Sequence, residues 1–307
     1  MAADERETPL LDIIIVTSTG ARELLRDCLA SIRAHPPKGG RVAVYVADNA
    51  SEDGTTDMVR EEFPEVNLVR FPRNAGFCIA NNYWLARSDA PFALLLNPDT
   101  ELIDGSLDYM LDVIRERSDV GIAGCRLVQR DGSFDHAAKR SFPTRLGALA
   151  HFTGLGRRPS AGPRLAQYRA PELSEWAAGE VDAVNGAFML VRHQAMQQVG
   201  LLDEGYPTPG MEDLDWCYRF KEEGWKVWYD GGATIIHVKG GATVETRRRG
   251  RYRSLPHNRA FHRSMARFYK KFYSGRNRLI DLVVYAGIGA KLLVSVTRSA
   301  IARRGFS

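Results

Sequence analysis

Asp99 follows a strongly apolar run in the string LLLNPDT of this 307-residue chain, at a point where a buried strand is expected to end. Hard divalent cations bind oxygen ligands, and the oxygens of a diphosphate can complete their coordination. His237 ends a second apolar run just before Gly240 and Gly241, and an imidazole there can also ligate a metal ion. The simpler alternatives are a cap for the helix expected after Gly105 and a histidine with a structural role. Asp99 and His237 are therefore candidate metal ligands.

Three acidic residues, Glu212, Asp213 and Asp215, open a predicted helix in the string MEDLDWCYR. Acidic residues in a first turn also interact favourably with the helix dipole, which is the simpler interpretation. The preceding loop, YPTPG, can project them into a cleft. A carboxylate beside an acceptor hydroxyl is what a direct displacement at an anomeric carbon needs as its general base.

Asp48 ends another apolar run, in the string VADNASEDGT. A carboxylate there can accept a hydrogen bond from a base N–H, and Ser51 and Asp53 suit a tight turn beneath a nucleotide. Ser, Asp and Gly are also the usual residues of a strand-to-helix turn, so this motif alone is weak evidence.

The elements that must position these residues alternate between strands and helices. Four apolar runs, at 10–18, 41–49, 66–71 and 91–99, predict buried strands separated by helical stretches. Strands buried on both faces and separated by helices favour a parallel, doubly wound α/β sheet. Ligands of such sheets lie beyond the carboxyl ends of the strands, which is where the acidic residues of the first half stand.

The pattern changes after residue 119. The string VGIAGCRLV predicts a further strand, followed by an Asp-Gly turn. Residues 181–191 predict one alternating strand, and 225–230 and 233–238 predict two short ones. The stretch 154–171 is rich in Gly, Pro and Arg and predicts a long mobile loop.

The net charge of +5 conceals an asymmetry along the chain. Residues 244–307 contain sixteen Lys or Arg and two acidic residues, a net charge of +14, so the rest of the chain carries −9. Such a segment indicates a polyanionic partner, such as nucleic acid, diphosphate groups or an anionic lipid surface; a solvated helix face is the simpler alternative. Its uncharged run 282–290 is too short to cross a bilayer, and fits a helix in the membrane interface or one packed on the body.

The cysteine pattern and the first residues of the chain indicate in which cellular compartment the protein is expected. The four cysteines form no CxxC or CxxH pair, so we expect no zinc site or disulfide framework, and buried thiols in a reducing compartment are the simpler account. The acidic, polar start MAADERETP predicts no secretory signal.

The order of the motifs resembles that of inverting family-two glycosyltransferases of the GT-A fold: VTS, DNASEDGT, RNAGFCIANN, LLLNPDT, VNGAFMLVR, GLLDEGY and MEDLDWCYR, followed by a histidine. It looks most like their bacterial rhamnosyltransferase-like branch, which builds cell-wall linkers and surface polysaccharides. The resemblance covers about 11–241, and the joint order is far more specific than any single motif. With the element pattern it predicts a GT-A catalytic domain over 1–240, with a nucleotide-sugar half of about 1–125 and an acceptor half of about 126–240. Residues 241–307 would be a basic loop and a helical, membrane-proximal segment.

The resemblance implies a set of nucleotide-binding residues at the first strand ends and in the loops after them: Thr17, Asp48, Ser51, Arg73, Asn74, Gly76, Asn82 and Asn97. Thr17 and Asp48 would contact the base and ribose, and the loop around Asn74 would line the nucleotide. A basic loop in the C-terminal segment would close over the donor diphosphate through Arg247, Arg248 and Arg249.

The resemblance also implies a divalent metal, Mg²⁺ or Mn²⁺. The usual metal motif of the family is Asp-any-Asp, whereas this chain has Asn97-Pro98-Asp99. Metal binding would therefore depend on Asp99, with His237 as the second protein ligand.

The same resemblance implies the reaction. Asp213 would be the catalytic base of a single in-line displacement that inverts the anomeric centre, with Glu212 and Asp215 as supporting acids. The donor would be a nucleotide-diphosphate sugar. dTDP-rhamnose is the first candidate and a UDP-hexose is the second. The acceptor would be a hydroxyl of a glycan or of a polyprenyl-diphosphate-linked glycan, and the protein would be cytoplasmic and peripheral at the inner face of the cell membrane.

Three other functions fit the residues less well. A sugar-1-phosphate nucleotidyltransferase would be expected to have a glycine-rich basic loop after the first strand, where this chain has TSTGARE. A catalytically inactive membrane-associated scaffold would have no need of the retained acids and His237. A nucleic-acid binder is suggested by the basic segment alone, since no recognition motif accompanies it.

Overall fold

The computed structural model describes residues 8–142, 173–238, 255–275 and 277–304. Their strands, in chain order, are β1 (Leu11–Thr17), β2 (Val42–Asp48), β3 (Asn67–Arg70), β4 (Phe92–Leu96), β5 (Thr100–Glu101), β6 (Val120–Val128), β7 (Lys139–Arg140), β8 (Ala178–Val181), β9 (Ala183–Val184), β10 (Phe188–Arg192) and β11 (Lys226–His237). Their helices are α1 (Arg22–Ala34), α2 (Thr55–Glu62), α3 (Phe77–Leu85), α4 (Ser106–Glu116), α5 (His193–Val199), α6 (Glu212–Glu222), α7 (Leu255–Phe272) and α8 (Arg278–Arg304).

Nine of these strands form one sheet in the order β3-β2-β1-β4-β10-β6-β11-β5, with β8 paired to β11. The pairs β1–β2, β1–β4, β2–β3 and β6–β11 are parallel. β10 lies antiparallel between β4 and β6. The predicted mainly parallel, doubly wound α/β sheet is therefore confirmed, with β10 antiparallel near its centre and with β5 and β8 antiparallel to β11.

The central strands are apolar along almost their whole length, and this composition determines where they lie. Every residue of β1, β4 and β6 is buried. Helices cover the sheet with apolar stripes, such as the buried leucines of α1 and α4. Since both faces of the sheet are covered by packed side chains, polar side chains that could contact a ligand are expected at the ends of the strands.

The parallel register brings several of these ends to one edge. Thr17 lies opposite Asp48 at the ends of β1 and β2. β4 ends at Leu96, and the antiparallel β10 begins at the same edge because Phe188 pairs with Leu96. β11 reaches this side of the sheet with its last residue, His237, which pairs with Thr100 of β5.

The prediction of one strand over 181–191 is wrong. The structure divides this span among the end of β8 at Val181, β9 and β10, with a turn at Asn185 between β9 and β10. The side-chain oxygen of Asn185 accepts a hydrogen bond from the Ala187 N–H at 2.9 Å, and its carbonyl accepts one from the Phe188 N–H at 3.2 Å. These local bonds compete with strand pairing, as asparagine side chains commonly do in turns.

The prediction of two short strands over 225–238 is also wrong, because the residues form the single strand β11. Its register shifts between Asp230 and Thr234. A Cβ atom on Gly231 would lie 2.4 Å from the carbonyl oxygen of Glu175. Glycine at this position therefore lets the chain bulge against its neighbour and continue instead of turning.

The two C-terminal helices differ in their environment. α7 packs on the α/β body formed by the sheet and its covering helices, burying Phe268 and Tyr269. α8 exposes 70% of Leu279, 67% of Leu282 and 67% of Leu293. Its first twenty residues, 278–297, are long and apolar enough to cross a membrane by length and composition alone. The helix thus extends well beyond the short apolar run seen in the sequence.

Two predicted features lie outside the described residues. These are the mobile loop at 154–171 and the diphosphate-contacting arginines Arg247, Arg248 and Arg249.

Candidate active site

His237 lies between two buried carboxylates at the end of β11. Its Nε2 is 3.5 Å from Asp99 Oδ1, and its Nδ1 is 3.2 Å from Asp135 Oδ2. At 3.5 Å the first contact is an electrostatic one rather than a hydrogen bond, and Asp99 Oδ1 is buried without a hydrogen-bond partner within the described residues. The structure thus brings together the two predicted metal ligands, which are 138 residues apart in the chain.

Backbone contacts determine this approach. His237 pairs with Thr100 across the antiparallel β5–β11 contact, and the N–H of Val238 donates to the carbonyl of Asp99 at 2.7 Å. The end of β11 is therefore held directly against the segment that carries Asp99.

The pKa of His237 reflects two opposing influences. Burial alone lowers it, whereas the hydrogen bond to Asp135 and the negative charges of Asp99 and Asp135 raise it to about 9. The same two carboxylates would attract a divalent cation, and a cation would displace the proton from Nε2.

The donor set fits a divalent metal ion with two protein ligands. Asp99 offers a buried oxygen that has no hydrogen-bond partner in the described part of the chain, and His237 offers a ring nitrogen beside it. Within the described ranges, no cluster of three or more His, Cys, Asp or Glu could hold a metal ion. The remaining coordination positions would therefore have to be filled by ligand oxygens or water, as is usual for Mg²⁺ at phosphate sites.

Asp48 is fully buried at the end of β2, and its carboxylate is engaged within the protein. It accepts hydrogen bonds from the N–H of Ser51 at 3.1 Å, from the Ser51 hydroxyl, and from the Thr56 hydroxyl at 2.7 Å. Arg70 lies 3.6 Å from it. Thr17, its neighbour in register, has a buried hydroxyl without a hydrogen-bond partner within the described residues. Thr17 thus retains hydrogen-bonding capacity at the predicted nucleotide edge, and the base contact of Asp48 stays a prediction.

The predicted nucleotide loop lies beside this edge. Asn49 holds it, since its side chain accepts from the Ala75 N–H at 3.1 Å and donates to the Gly76 carbonyl at 3.4 Å. Gly76 has φ +90°, a conformation that favours glycine, and its N–H donates to the Asn74 side chain at 2.9 Å. Arg73 and Asn74 themselves are exposed.

Asn82 is engaged elsewhere. Its amide donates to the Leu202 carbonyl at 2.9 Å and to Glu204 at 3.0 Å, and its oxygen accepts from the Leu202 N–H at 3.1 Å. These bonds connect α3 to the loop that precedes α6. Its nucleotide contact stays a prediction without support from this geometry.

Asp213 lies in the first turn of α6 with its carboxylate buried. One oxygen accepts from Arg140, and the Gly186 N–H lies 3.4 Å from the same oxygen. The next residue along the chain, Ala187, accepts a hydrogen bond from the Asn97 N–H at 3.0 Å. The turn between β9 and β10 therefore connects the predicted base to the strand end that carries the predicted metal ligand.

The two flanking acids have different environments. Glu212 accepts hydrogen bonds from the N–H groups of Gly210 at 2.6 Å and Met211 at 3.0 Å. Its burial, and then the charge of Asp213, raise its pKa to about 8.

Asp215 is fully buried in an ion-pair network. It accepts from the Tyr206 hydroxyl at 2.9 Å, from Arg219 at 2.7 Å and from Lys271 at 2.7 Å. Since Lys271 belongs to α7, Asp215 connects the helix of the acidic motif to the C-terminal part of the chain. Its contacts are structural ones, and the supporting role predicted for it gains nothing from them.

Two residues of this site were missed by the sequence analysis, Asp135 and Arg140. Both lie in the segment after the Asp-Gly turn, which contains the short strand β7 and little periodic pattern. Isolated charged residues in a loop of this kind carry no local signal of burial. Only their burial and their partners identify them.

Solved structures with the same fold support the architecture. A mannosyltransferase of Pyrobaculum calidifontis, solved with GDP-Man and Mn²⁺, matches with a TM-score of 0.55 at 16% identity, over 98% of this chain and 76% of that one. Residues 1–349 of Staphylococcus aureus TarS with UDP match with a TM-score of 0.55 at 14% identity, over 89% and 69%. The protein therefore has the GT-A glycosyltransferase fold, as predicted.

Sequence relatives define the family. The model of glycosyltransferase-like family 2 matches residues 13–255, and the chain belongs to this family. N-acetylglucosaminyl-diphospho-decaprenol L-rhamnosyltransferase of Mycobacterium tuberculosis is 30% identical over 247 residues, which are 77% of this chain and 78% of that protein. The O-antigen biosynthesis protein RfbC of Myxococcus xanthus is 26% identical over 76% of this chain and 17% of its own length. The predicted family is confirmed, and the chain is a glycosyltransferase.

Proposed function

We propose that this glycosyltransferase transfers L-rhamnose from dTDP-rhamnose, with inversion, to a hydroxyl of a polyprenyl-diphosphate-linked glycan. The observation that carries the proposal is the contact of His237 with Asp99, together with the turn that contacts Asp213 at Gly186 and the strand end before Asp99 at Ala187. The choice of sugar and acceptor is supported by the mycobacterial relative, whose name gives an L-rhamnosyltransferase acting on a decaprenyl-diphosphate-linked N-acetylglucosamine. A UDP-hexose is the alternative donor.

Two sets of residues would act in the reaction, one on the leaving nucleoside diphosphate and one on the attacking hydroxyl. Asp99 and His237 would hold a Mg²⁺ or Mn²⁺ ion, which offsets the negative charge that develops on the leaving nucleoside diphosphate. Asp213, paired with Arg140, would accept the proton of the attacking hydroxyl. Arg140 and Gly186 hold the carboxylate, so that little reorientation is required during the reaction.

The proposal includes the arrangement of the chain. The nucleotide-sugar half would extend to about residue 125 and the acceptor half from about 126 to 240. The α8 helix, with its exposed leucines and the basic residues around it, would hold the protein at the inner face of the membrane near its lipid-linked acceptor.

The test is a donor and metal panel with the purified protein. Release of nucleoside diphosphate from dTDP-rhamnose and from several UDP-hexoses is measured with a prenyl-diphosphate-linked N-acetylglucosamine acceptor, in Mn²⁺, in Mg²⁺ and after EDTA treatment. We expect acceptor-dependent release of dTDP that EDTA abolishes and added metal restores, with a product of inverted anomeric configuration by NMR.

Each part of the proposal can fail separately. Turnover with a UDP-hexose but not with dTDP-rhamnose would show that the donor is a UDP-hexose. Turnover that persists in EDTA would exclude a metal requirement, and a product of retained configuration would exclude the single displacement.

A further inference from the structure

The ring of His237 is held by a second acid, Asp135, which lies on the side away from Asp99. We infer that Asp135 is the positioning residue of the metal-binding histidine: it accepts the Nδ1 proton and so presents an unprotonated Nε2 to the ion. The inference rests on the proposed metal site and extends it by one residue outside the predicted motifs.

The geometry of the ring supports this assignment. Its two nitrogens point at two different carboxylates, Nδ1 at Asp135 at 3.2 Å and Nε2 at Asp99 at 3.5 Å. The side chains of His237, Asp135 and Asp99 are 8%, 1% and 4% exposed, so that little water competes for these contacts. A histidine that donates its far N–H to a carboxylate has a defined tautomer and a more basic metal-facing nitrogen.

Asp135 itself is rigidly placed. Its N–H donates to the carbonyl of Leu127 at 2.9 Å, and its other side-chain oxygen accepts from the Ala137 N–H at 3.0 Å. Residues Val128 and Phe134 form an antiparallel bridge around the preceding turn. The turn therefore returns the chain beside the end of β6, which is the parallel neighbour of β11, and delivers a carboxylate to the ring of His237.

The charge of this carboxylate also bears on the ion. Because Asp135 contacts the ring rather than the cation position, it adds negative charge beside a site that has one carboxylate ligand instead of the usual pair. A more basic imidazole and a nearby negative charge both favour a divalent ion. Asp135 would therefore compensate in part for Asn97 in the Asn-Pro-Asp string.

The experiment measures Mn²⁺ affinity directly, by titration of free Mn²⁺ with EPR in the presence of dTDP, on the full chain. The variants are Asp135→Ala, Asp135→Asn, His237→Ala and the double variant Asp135→Ala/His237→Ala. Asp131→Asn is the matched control, because Asp131 is an exposed aspartate in the same hairpin whose side chain accepts from the Ser133 N–H at 2.9 Å. Circular dichroism and thermal unfolding verify the fold of each variant.

We expect Asp135→Ala to weaken Mn²⁺ binding about 10- to 100-fold, the usual effect of removing the partner of a ligating histidine. Asp135→Asn should weaken it less, since its amide oxygen can still accept the Nδ1 proton. The decisive result is the double variant, whose loss of Mn²⁺ affinity should be clearly smaller than the sum of the two single losses if Asp135 acts through the ring. Asp131→Asn should bind like the wild type.

Two results would overturn the assignment: wild-type affinity in a folded Asp135→Ala protein, or losses that add fully in the double variant. The proposed metal site fails in a different way, namely if the wild type binds no Mn²⁺ in the presence of dTDP, or if His237→Ala binds it as well as the wild type. The two failures are thus distinguishable from one set of titrations.

Discussion

Asp213 and Arg140 form an ion pair in which the two side chains are 7% and 8% exposed. The guanidinium also donates to the Val184 carbonyl at 2.7 Å, and the second oxygen of Asp213 accepts from the Leu214 N–H at 2.8 Å. A charged pair removed from water to this extent is favourable only when its remaining hydrogen bonds are satisfied, as several are here. The proposed base is thus a carboxylate held in a buried ion pair, and its partner comes from a short strand 73 residues away.

The first prediction concerns the role of Asp213. Asp213→Asn keeps the size of the side chain but removes its basicity, so turnover should fall by about 10²-fold or more. The rate of nucleoside diphosphate release at saturating donor and acceptor measures it. Glu222→Gln, an exposed acid at the other end of α6, should leave turnover unchanged. A folded Asp213→Asn protein with near-normal turnover would exclude Asp213 as the base.

The second prediction concerns the stability of the ion pair. Arg140→Ala leaves a buried carboxylate without its counter-charge, which should lower the free energy of unfolding by about 3–5 kcal/mol. Arg130→Ala removes an arginine with two acidic partners at the surface and should cost about 1 kcal/mol or less. Urea unfolding of both variants makes the comparison.

A double variant checks the cause of that loss. Replacing Asp213 by Asn in the Arg140→Ala protein removes the uncompensated charge, so the double variant should be more stable than Arg140→Ala alone. Equal or lower stability would mean that Arg140 contributes mainly by packing.

The third prediction concerns pH and Glu212. Burial and the charge of Asp213 raise the pKa of Glu212 from 4.5 to about 8, so the folded protein holds a proton that the unfolded chain releases between these values. The contribution of Glu212 to stability should therefore decrease as pH rises from about 4.5 to about 8, at up to ~1.4 kcal/mol per pH unit.

Glu212→Gln removes this titration and serves as the comparison. Its free energy of unfolding, relative to the wild type, should increase from pH 5 to pH 8 in urea titrations. A constant difference across this range would show that Glu212 is ionised throughout. Glu222→Gln, at an exposed position of the same helix, is the matched control variant in these titrations.

The fourth prediction concerns the exposed face of α8. Leu282→Glu places a charge where 67% of an apolar side chain faces outward, so binding to vesicles rich in anionic lipid should fall about 10-fold or more at physiological salt. Co-sedimentation measures it. Ile103→Glu introduces the same charge on the catalytic body, where 39% of the side chain is exposed, and should have little effect.

The membrane proposal stands apart from the enzymatic one. Equal vesicle binding by the wild type and Leu282→Glu would exclude α8 as the membrane-binding element. Absence of binding by the wild type would exclude the membrane surface as a partner. Neither outcome would alter the assignment of Asp99, His237 or Asp213.

The main elements of the fold could be predicted because their signals are local. Buried runs such as those of β1 and β4 are recognisable from consecutive apolar residues, and the helices between them imply parallel neighbours. The predicted strand boundaries were wrong where the continuation or interruption of a strand depended on contacts with other parts of the chain. The bulge at Gly231, which continues β11, depends on the close approach of Glu175, and the turn at Asn185, which divides β9 from β10, leaves each strand with a different partner.

The sequence by itself determined the family, through the joint order of its motifs. It also singled out Asp99 and His237 at the ends of apolar runs and Asp213 at the start of a helix, because polar residues beyond buried strands lie where such sheets bind ligands. Only the tertiary structure showed what holds them. Asp135 lies 102 residues from His237 and Arg140 lies 73 residues from Asp213 along the chain, in a segment with little pattern. A buried charge is stable only beside its partner, and that pairing exists only once distant segments have packed together.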